Sequence, residues 1–421
     1  MNIDQTLEKL YALQIFGIKF GLENIRKFLQ VLGNPQNNLK CFHIAGSNGK
    51  GSTASFIASI LQTAGFKTGL YTSPHFVKFN ERIRINGIEI DDEFIASFYN
   101  EHEHFINENK LTFFEVTTAL AFVYFSENKV KYAVIETGLG GRLDATNVLK
   151  PLAVVLTSIS LEHTQYLGDT IEEITAEKAA IIKPKVKVFL GLLPEKADEI
   201  IQQKCEEVDC ELFELEDYII ERDTYLELYT EELDIDRLDS PLHGYYQKYN
   251  AALATLAVNK TLGLEDLHVF ENGLKHVVEN TKIQGRYEVV SENPRVIFDS
   301  AHNPEGIDSF LSEYLKEKSR YKKTHLLFTV MKDKEIEKMF AKLKPAFDEF
   351  HFTDIPFERA EKKEKLLSIA AVYQLHASPV ENPTDFFLQF MKKINSDECL
   401  VILGSMYLVG EIKKGLIKEK T

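Results

Sequence analysis

The residues best equipped for chemistry lie between positions 43 and 53, HIAGSNGKGST, where three glycines and a lysine separate an apolar run from a helical pattern. The run is Cys41 to Ala45, and the pattern that follows places apolar residues at Phe56, Ile57, Ile60 and Leu61. Strand, glycine loop and helix in that order turn backbone N–H groups and a helix N-terminus toward an anion, and Lys50 adds a point charge. The guest this predicts is a polyphosphate. The common nucleotide-loop spelling has a glycine five residues before the Gly-Lys pair and a Ser or Thr directly after it. Here Ile44 holds the first position, and Gly51 stands between Lys50 and Ser52.

Other strand ends add further groups. Glu136 closes the apolar run YAVIE just before glycines, where a magnesium ion bound to phosphates needs a hard oxygen ligand; the plainer reading is a cap on a sheet edge. Ser73 and His163 end other strands and could complete the coordination of one or two ions, although a histidine there is often only a hydrogen-bond partner. In DSAHNP, Asp299 could hold a ribose hydroxyl and His302 a phosphate or the surroundings of the metal, while Ser300 or Asn303 before Pro304 would serve equally as a helix cap. Arg286 stands in a polar stretch that reads as a link between domains, and could reach a phosphate from it. Lys178 lies on a helical pattern between Glu177 and two alanines, and by residue type alone it is a surface lysine.

These groups need a scaffold of strands that deliver polar residues at their carboxyl ends, and the chain supplies one. Helical spacing over residues 3–32, with a break near Gly17 to Gly21, precedes the loop. After it come a strand at 67–71, an irregular stretch SPHFVKFNERI, helices at 91–108 and 113–126, strands at 132–136 and 153–158, and a helix over 170–182. Alternating runs after residue 215 predict a small β ribbon. A second round of strands and helices starts at Arg295. The expected fold is α/β: a P-loop-type, mainly parallel sheet over 1–284 with the accessory ribbon, then a smaller Rossmann-like α/β domain over 285–421.

The 421 residues are too many for one ordinary core, and 44% hydrophobic with 27% charged residues describes a soluble globular chain. A formal charge of −15 argues against nucleic acid or a membrane surface as partner, since either needs a basic face, but leaves room for a small anion in a local positive pocket. The four cysteines show no metal-ligand pairing, the N-terminus lacks an apolar signal core, and no eighteen apolar residues run together, so a cytoplasmic protein is expected.

Taken together, HIAGSNGKGST, SPHFVKFNERI, ETGLGGRLDATN, LEHTQYLGDT, EKAAIIK and DSAHNPEG resemble, in order, the motifs of the folylpolyglutamate synthase and dihydrofolate synthase family, a branch of the ATP-dependent Mur ligases. The resemblance implies a ligase that joins the amine of L-glutamate to a carboxylate of dihydropteroate or of a folate, using ATP and Mg2+ at two sites. Asn48, Gly49, Lys50, Gly51, Ser52 and Thr53 would hold the ATP phosphates, and Asn250 the adenine. Arg286, Asp299 and His302 would reach the nucleotide. Ser73, Glu136 and His163 would bind magnesium, and Lys178 would be carried as a carbamate, joining Lys50 and His163 as the catalytic group. Arg82, Arg142 and Asp144 would border the pterin or folate pocket.

The family's Thr is replaced by Ser47, and Ile283-Gln284 stand where an aromatic-proline pair is common. Small-molecule substrates and a monomer are expected. The resemblance leaves open a bifunctional enzyme, a folylpolyglutamate synthase alone, and a cell-wall Mur ligase. A nucleotide-driven switch that makes no amide is the reading from another class.

Overall fold

The computed structural model describes residues 2–13, 21–393 and 397–418. Helices Ile3–Ala12 and Glu23–Val31 flank the break expected near Gly17 to Gly21, which falls largely on 14–20, outside the described residues. Two compact units divide the chain: Met1–Pro241 with Lys248–Ile283, and Leu242–Gln247 with Gln284–Thr421.

The first unit is built on eight strands: β1 (Cys41–Ala45), β2 (Thr68–Tyr71), β3 (Ile83–Ile85), β4 (Ile88–Glu89), β5 (Tyr132–Glu136), β6 (Ala153–Leu156), β7 (Lys187–Leu190) and β8 (Glu211–Glu214). Their order is β4-β3-β2-β5-β1-β6-β7-β8, parallel throughout except for the β2–β3 and β3–β4 pairs. Central strands such as β1 and β6 are buried along their whole length, which is why they read as continuous apolar runs rather than alternating ones. Strand order turns about at β1: β5 and β2 lie on one side, β6 to β8 on the other. At such a switch point the loops leaving the carboxyl ends part and open a crevice. Register sets Ile44 beside Glu136 and Val155, so β1, β5 and β6 end together there.

The irregular stretch after Tyr71 closes with a 3-10 turn, Phe79–Arg82, and the chain then forms a β3–β4 hairpin through Asn86 and Gly87, at φ 49° and 75°. Two central residues of positive φ make a type I′ turn, the one that Asn-Gly favours. The expected ribbon is present as β9 (Ile219–Glu221), β10 (Leu226–Tyr229) and β11 (Asp234–Ile235), all antiparallel.

Among the described residues the second unit has six strands, β12 (Glu288–Glu292), β13 (Arg295–Phe298), β14 (Lys323–Phe328), β15 (Glu349–Thr353), β16 (Ala377–Val380) and β17 (Glu398–Leu403), in the order β12-β13-β17-β14-β15-β16. Only the β12–β13 pair is antiparallel. The last three residues of the expected link, 279–290, thus begin an edge strand, β12, and its first three end helix Val277–Thr281. Helix Lys363–Val372, strand β16 and helix Met406–Lys418 add to the elements read from sequence. No helix among the described residues is long and apolar enough to cross a membrane.

Candidate active site

The glycine loop leaves β1 and enters helix Lys50–Thr63, as its composition predicts. Gly46, at φ 151°, has no room for a side chain, because a Cβ would stand 2.0 Å from Thr157 Oγ1. Gly49, at φ 84°, is the residue before the helix, and a Cβ there would meet Asn250 Oδ1 at 2.5 Å. The chain after β6 holds the loop from one side: Ser47 N donates to Ser158 O (2.8 Å), Asn48 N to Ser158 Oγ (2.8 Å), and Thr157 Oγ1 to Asn48 O (2.6 Å). No side chain caps the helix, so the first-turn N–H groups around Lys50, Gly51 and Ser52 lack a partner from a cap and suit an anion. Ser52 and Thr53 are buried, and Thr53 Oγ1 donates to Asn250 Oδ1 at 3.3 Å. Lys50 Nζ folds back over the loop and donates to Gly46 O (2.7 Å) and Ser47 O (3.0 Å).

Lys178, a surface lysine by residue type, is only 1% exposed. Its Nζ donates to Gly46 O (2.9 Å) and to Glu162 Oε1 (2.8 Å), so Lys50 and Lys178 share one carbonyl of the loop. Burial pushes the pKa of Lys178 down, with the Lys50 charge acting in the same direction and Glu162 against both. Burial pulls the Glu162 carboxyl upward, but Lys178 and Lys50 outweigh it and hold the group down at about 2. Glu162 therefore stands as a carboxylate against the buried Lys178 amine.

Glu136, the last residue of β5, is 4% exposed and accepts from Ser73 N at 2.9 Å, which brings two of the expected metal ligands side by side. His163 follows Glu162 directly and is half-buried, at φ 48° where helix Thr164–Leu167 begins. Among the described residues no three His, Cys, Asp or Glu cluster as a metal site. A carboxylate beside a serine, next to a phosphate loop, nonetheless fits a hard cation that takes its remaining ligands from phosphate and water.

Asp144 is buried and closes the glycine turn after β5, accepting from Gly138 N (2.8 Å), Leu139 N (2.9 Å) and Thr146 N (3.0 Å). Arg142 is exposed and pairs with Glu177 at 2.8 Å, beside Lys178 in the chain. Arg82 is buried, donates to His75 Nδ1 at 2.8 Å and lies over the Phe113 ring at 5.1 Å. Burial first, then the Arg82 charge, push the pKa of His75 down to about 3, so His75 meets Arg82 as a neutral acceptor.

In the second unit Asp299 ends the run from β13 and accepts from Tyr287 N and Ala301 N, both at 2.7 Å. His302 Nδ1 lies 2.9 Å from Ser300 O, and Arg286 Nη1 donates to Gly285 O at 3.1 Å. Helix Pro304–Glu317 is capped by Asn303, whose Oδ1 accepts from Gly306 N.

The pattern of the Mur ligase middle domain matches residues 44–258, and that of the Mur ligase glutamate ligase domain residues 285–406. A dihydrofolate synthase/folylpolyglutamate synthase of Bacillus subtilis is 36% identical over 416 residues, spanning 95% of this chain and 96% of the relative. The chain belongs to the folylpolyglutamate and dihydrofolate synthase family of Mur ligases. Such a protein is an ATP-dependent ligase. Two solved structures of this ligase family superpose on the whole chain. Escherichia coli FolC in complex with DHPP and ADP has a TM-score of 0.88 at 28% identity, covering 100% of this chain and 99% of that one. A bifunctional folylpolyglutamate synthase/dihydrofolate synthase with Mn, AMPPNP and L-glutamate bound has a TM-score of 0.84 at 26% identity, covering 99% of this chain and 98% of that one.

Two groups that contact the candidate residues escape a reading by residue type. Glu162 sits inside a motif that resembles the family's, but its partner is sixteen residues away and meets it only because helix Ile171–Ala179 runs back past the loop. His75, in the SPHFVKFNERI stretch, carries no spacing that points to Arg82. A histidine seven residues before an arginine, in a loop without periodicity, was the only available signal.

Proposed function

We propose that this ligase transfers the γ-phosphoryl group of ATP to the carboxylate of dihydropteroate, or to the terminal carboxylate of a folate's glutamate tail, and joins the resulting acyl phosphate to L-glutamate. A free carboxylate is a poor electrophile, and phosphorylation supplies the leaving group that water chemistry lacks. The glutamate amine attacks the acyl carbon, a tetrahedral intermediate collapses, the amine loses its proton, and phosphate and ADP leave. The observation that carries this reading is the uncapped phosphate loop, with Lys50 arched over it and the Glu136–Ser73 pair at the end of the neighbouring strand run.

In this reading residues 48–53 hold the ATP phosphates, Lys50 turns from the loop carbonyls to the γ-phosphoryl oxygens, and Asn250 meets the adenine side. Ser73, Glu136 and His163 hold magnesium, which when bound offsets the charge of the transferring phosphoryl group. Arg286, Asp299 and His302 contribute to nucleotide binding. Arg82 and Arg142 border the pterin or folate, and Asp144 acts there by shaping its turn, since the turn's own donors occupy its carboxylate.

Lys178 reacts as its neutral amine with carbon dioxide, forming an N–C bond and releasing a proton. Its depressed pKa favours that form, and the carbamate's new charge beside Glu162 calls for a second cation. The ligase works on small molecules as a monomer in the cytoplasm. Four cysteines outside any disulfide support that compartment.

The test is direct: purified protein with ATP, magnesium and L-glutamate releases ADP when either dihydropteroate or tetrahydrofolate is added. Turnover with both pterins supports the bifunctional enzyme; turnover only with a UDP-muramyl peptide would replace this reading with the cell-wall one.

A further inference from the structure

His43 is the third residue of β1, fully buried, in a strand whose other members are apolar or small. Its Nε2 lies 2.8 Å from Thr146 Oγ1, and Thr146 Oγ1 lies 2.5 Å from Asp144 Oδ1. The direction of these bonds follows from Asp144. Burial raises its pKa, but its two oxygens already accept three backbone N–H groups, from Gly138, Leu139 and Thr146, which is the geometry of an acceptor with no proton to give. The Thr146 hydroxyl therefore donates to Asp144 and accepts from His43 Nε2–H. That assigns the tautomer of His43 and leaves Nδ1 a bare acceptor, which has no hydrogen-bond partner among the described residues. An unmade hydrogen bond of this kind destabilises the fold, and an aliphatic residue at the same place in β1 would avoid it.

The turn at the far end of the relay touches two groups of the proposed site. Glu136 stands two residues before it. Gly141 packs so closely on the last turn of helix Ile171–Ala179 that a Cβ would stand 2.7 Å from Glu177 O and 2.8 Å from Lys178 O. Arg142 N donates to Glu177 O at 2.8 Å, and Asn147 Nδ2 to Ala180 O at 3.4 Å.

We propose that His43 is a positioning residue: through Thr146 it holds the Asp144 carboxylate, and with it turn 138–147, in fixed register with the strand that carries the phosphate loop. The relay sets the distance between the phosphate loop and the residues that border the pterin, and so acts on pterin binding rather than on nucleotide binding. This rests on the function proposed above.

The experiment compares His43→Leu, Thr146→Val, the double variant and Thr146→Ser with the wild type, by steady-state kinetics and by hydrogen exchange at the turn amides. The two single variants are expected to raise the KM for the pterin roughly tenfold or more, with the KM for ATP changed by no more than about twofold. The double variant should be no worse than the worse single one, because both break one chain of bonds. Thr146→Ser, which keeps the hydroxyl, should behave as wild type. Exchange at Gly138 and Leu139 should quicken in the two single variants.

Additive effects, equal losses toward ATP and pterin, or unchanged exchange at these amides would overturn the proposal. Should His43→Leu fail to fold, Thr146→Val alone decides it. A wild type that turns over no pterin would overturn the function, and the exchange data would then test the relay by themselves.

Discussion

One carbonyl oxygen, that of Gly46, accepts from two ammonium groups, with Glu162 as the carboxylate that balances them. Replacing Glu162 with Gln leaves Lys178 buried without its counter-ion, which should cost about 3–5 kcal/mol of stability in urea unfolding. The same pair fixes an acid limb. Glu162 is held down to about 2 from an ordinary value of 4.5, so its stabilisation is complete above pH 4.5 and is lost as pH falls toward 2. In Glu162→Gln that limb should flatten. Removing Lys50 acts on rate instead: Lys50→Ala should lower kcat by roughly 10²–10³, measured as pterin-dependent ADP release, and an unchanged kcat would exclude Lys50 from phosphoryl stabilisation. Lys178→Ala should lose turnover and regain part of it with acetate or propionate, which can stand in for a carbamate; failure of both acids would count against the carbamate. At this scale the glycine loop was legible because its types and spacing are its function. The burial of Lys178 was not, since a lysine between alanines looks the same on a surface.

Two elements carry information that their sequences held in different degrees. The β3–β4 hairpin was written in plain letters as Asn86-Gly87 between isoleucines, and periodicity missed it only because each arm is so short. Gly87→Ala should lower the melting temperature of the first unit, since φ is 75° there and a Cβ would stand 2.4 Å from Asn280 O; an unchanged melting temperature would contradict that packing. The second sheet hides a chain that no spacing reveals: Ser378 on β16, His351 on β15, His325 on β14 and Glu398 on β17, linked at 2.9, 3.0 and 2.9 Å. Burial lowers both histidines, His351 to about 4, with His325 and Lys323 adding to the effect at His351 and Glu349 opposing it. His351 folds as a neutral ring, while the unfolded chain binds a proton there at the ordinary 6.5, so the second unit should lose stability as pH falls from about 6.5 to 4. His351→Gln should reduce that slope in urea midpoints taken across the window. The strands themselves were readable as apolar runs, but which strand lies beside which depends on contacts far apart in the chain.

Each unit has its own buried clusters: in the first, one from Leu10 to Leu149 and another from Ala45 to Cys205; in the second, one from Tyr287 to Leu403. A chain of this kind need not unfold in one step. Nucleotide with magnesium at a hundred times its Kd should stabilise the part that binds it by about 2.7 kcal/mol, visible as an upward shift of a calorimetric transition; no shift would deny the site its guest. The strand order has a consequence in time. β5 lies between β1 and β2 although it follows both in the chain, and β1 completes its pairing only with Ala133 on one side and Ala153 on the other. From residue 42 to residue 153 is a run of 111 residues, which a ribosome adding about 5–20 residues per second needs roughly 6 to 22 s to make. Until Ala133 is made the strand Cys41–Ala45 has neither neighbour, and until Ala153 it has only one, so a nascent-chain binder that favours bare β segments would find it there. The glycine loop that follows this strand is made before the strands on either side of it, and it must wait for them.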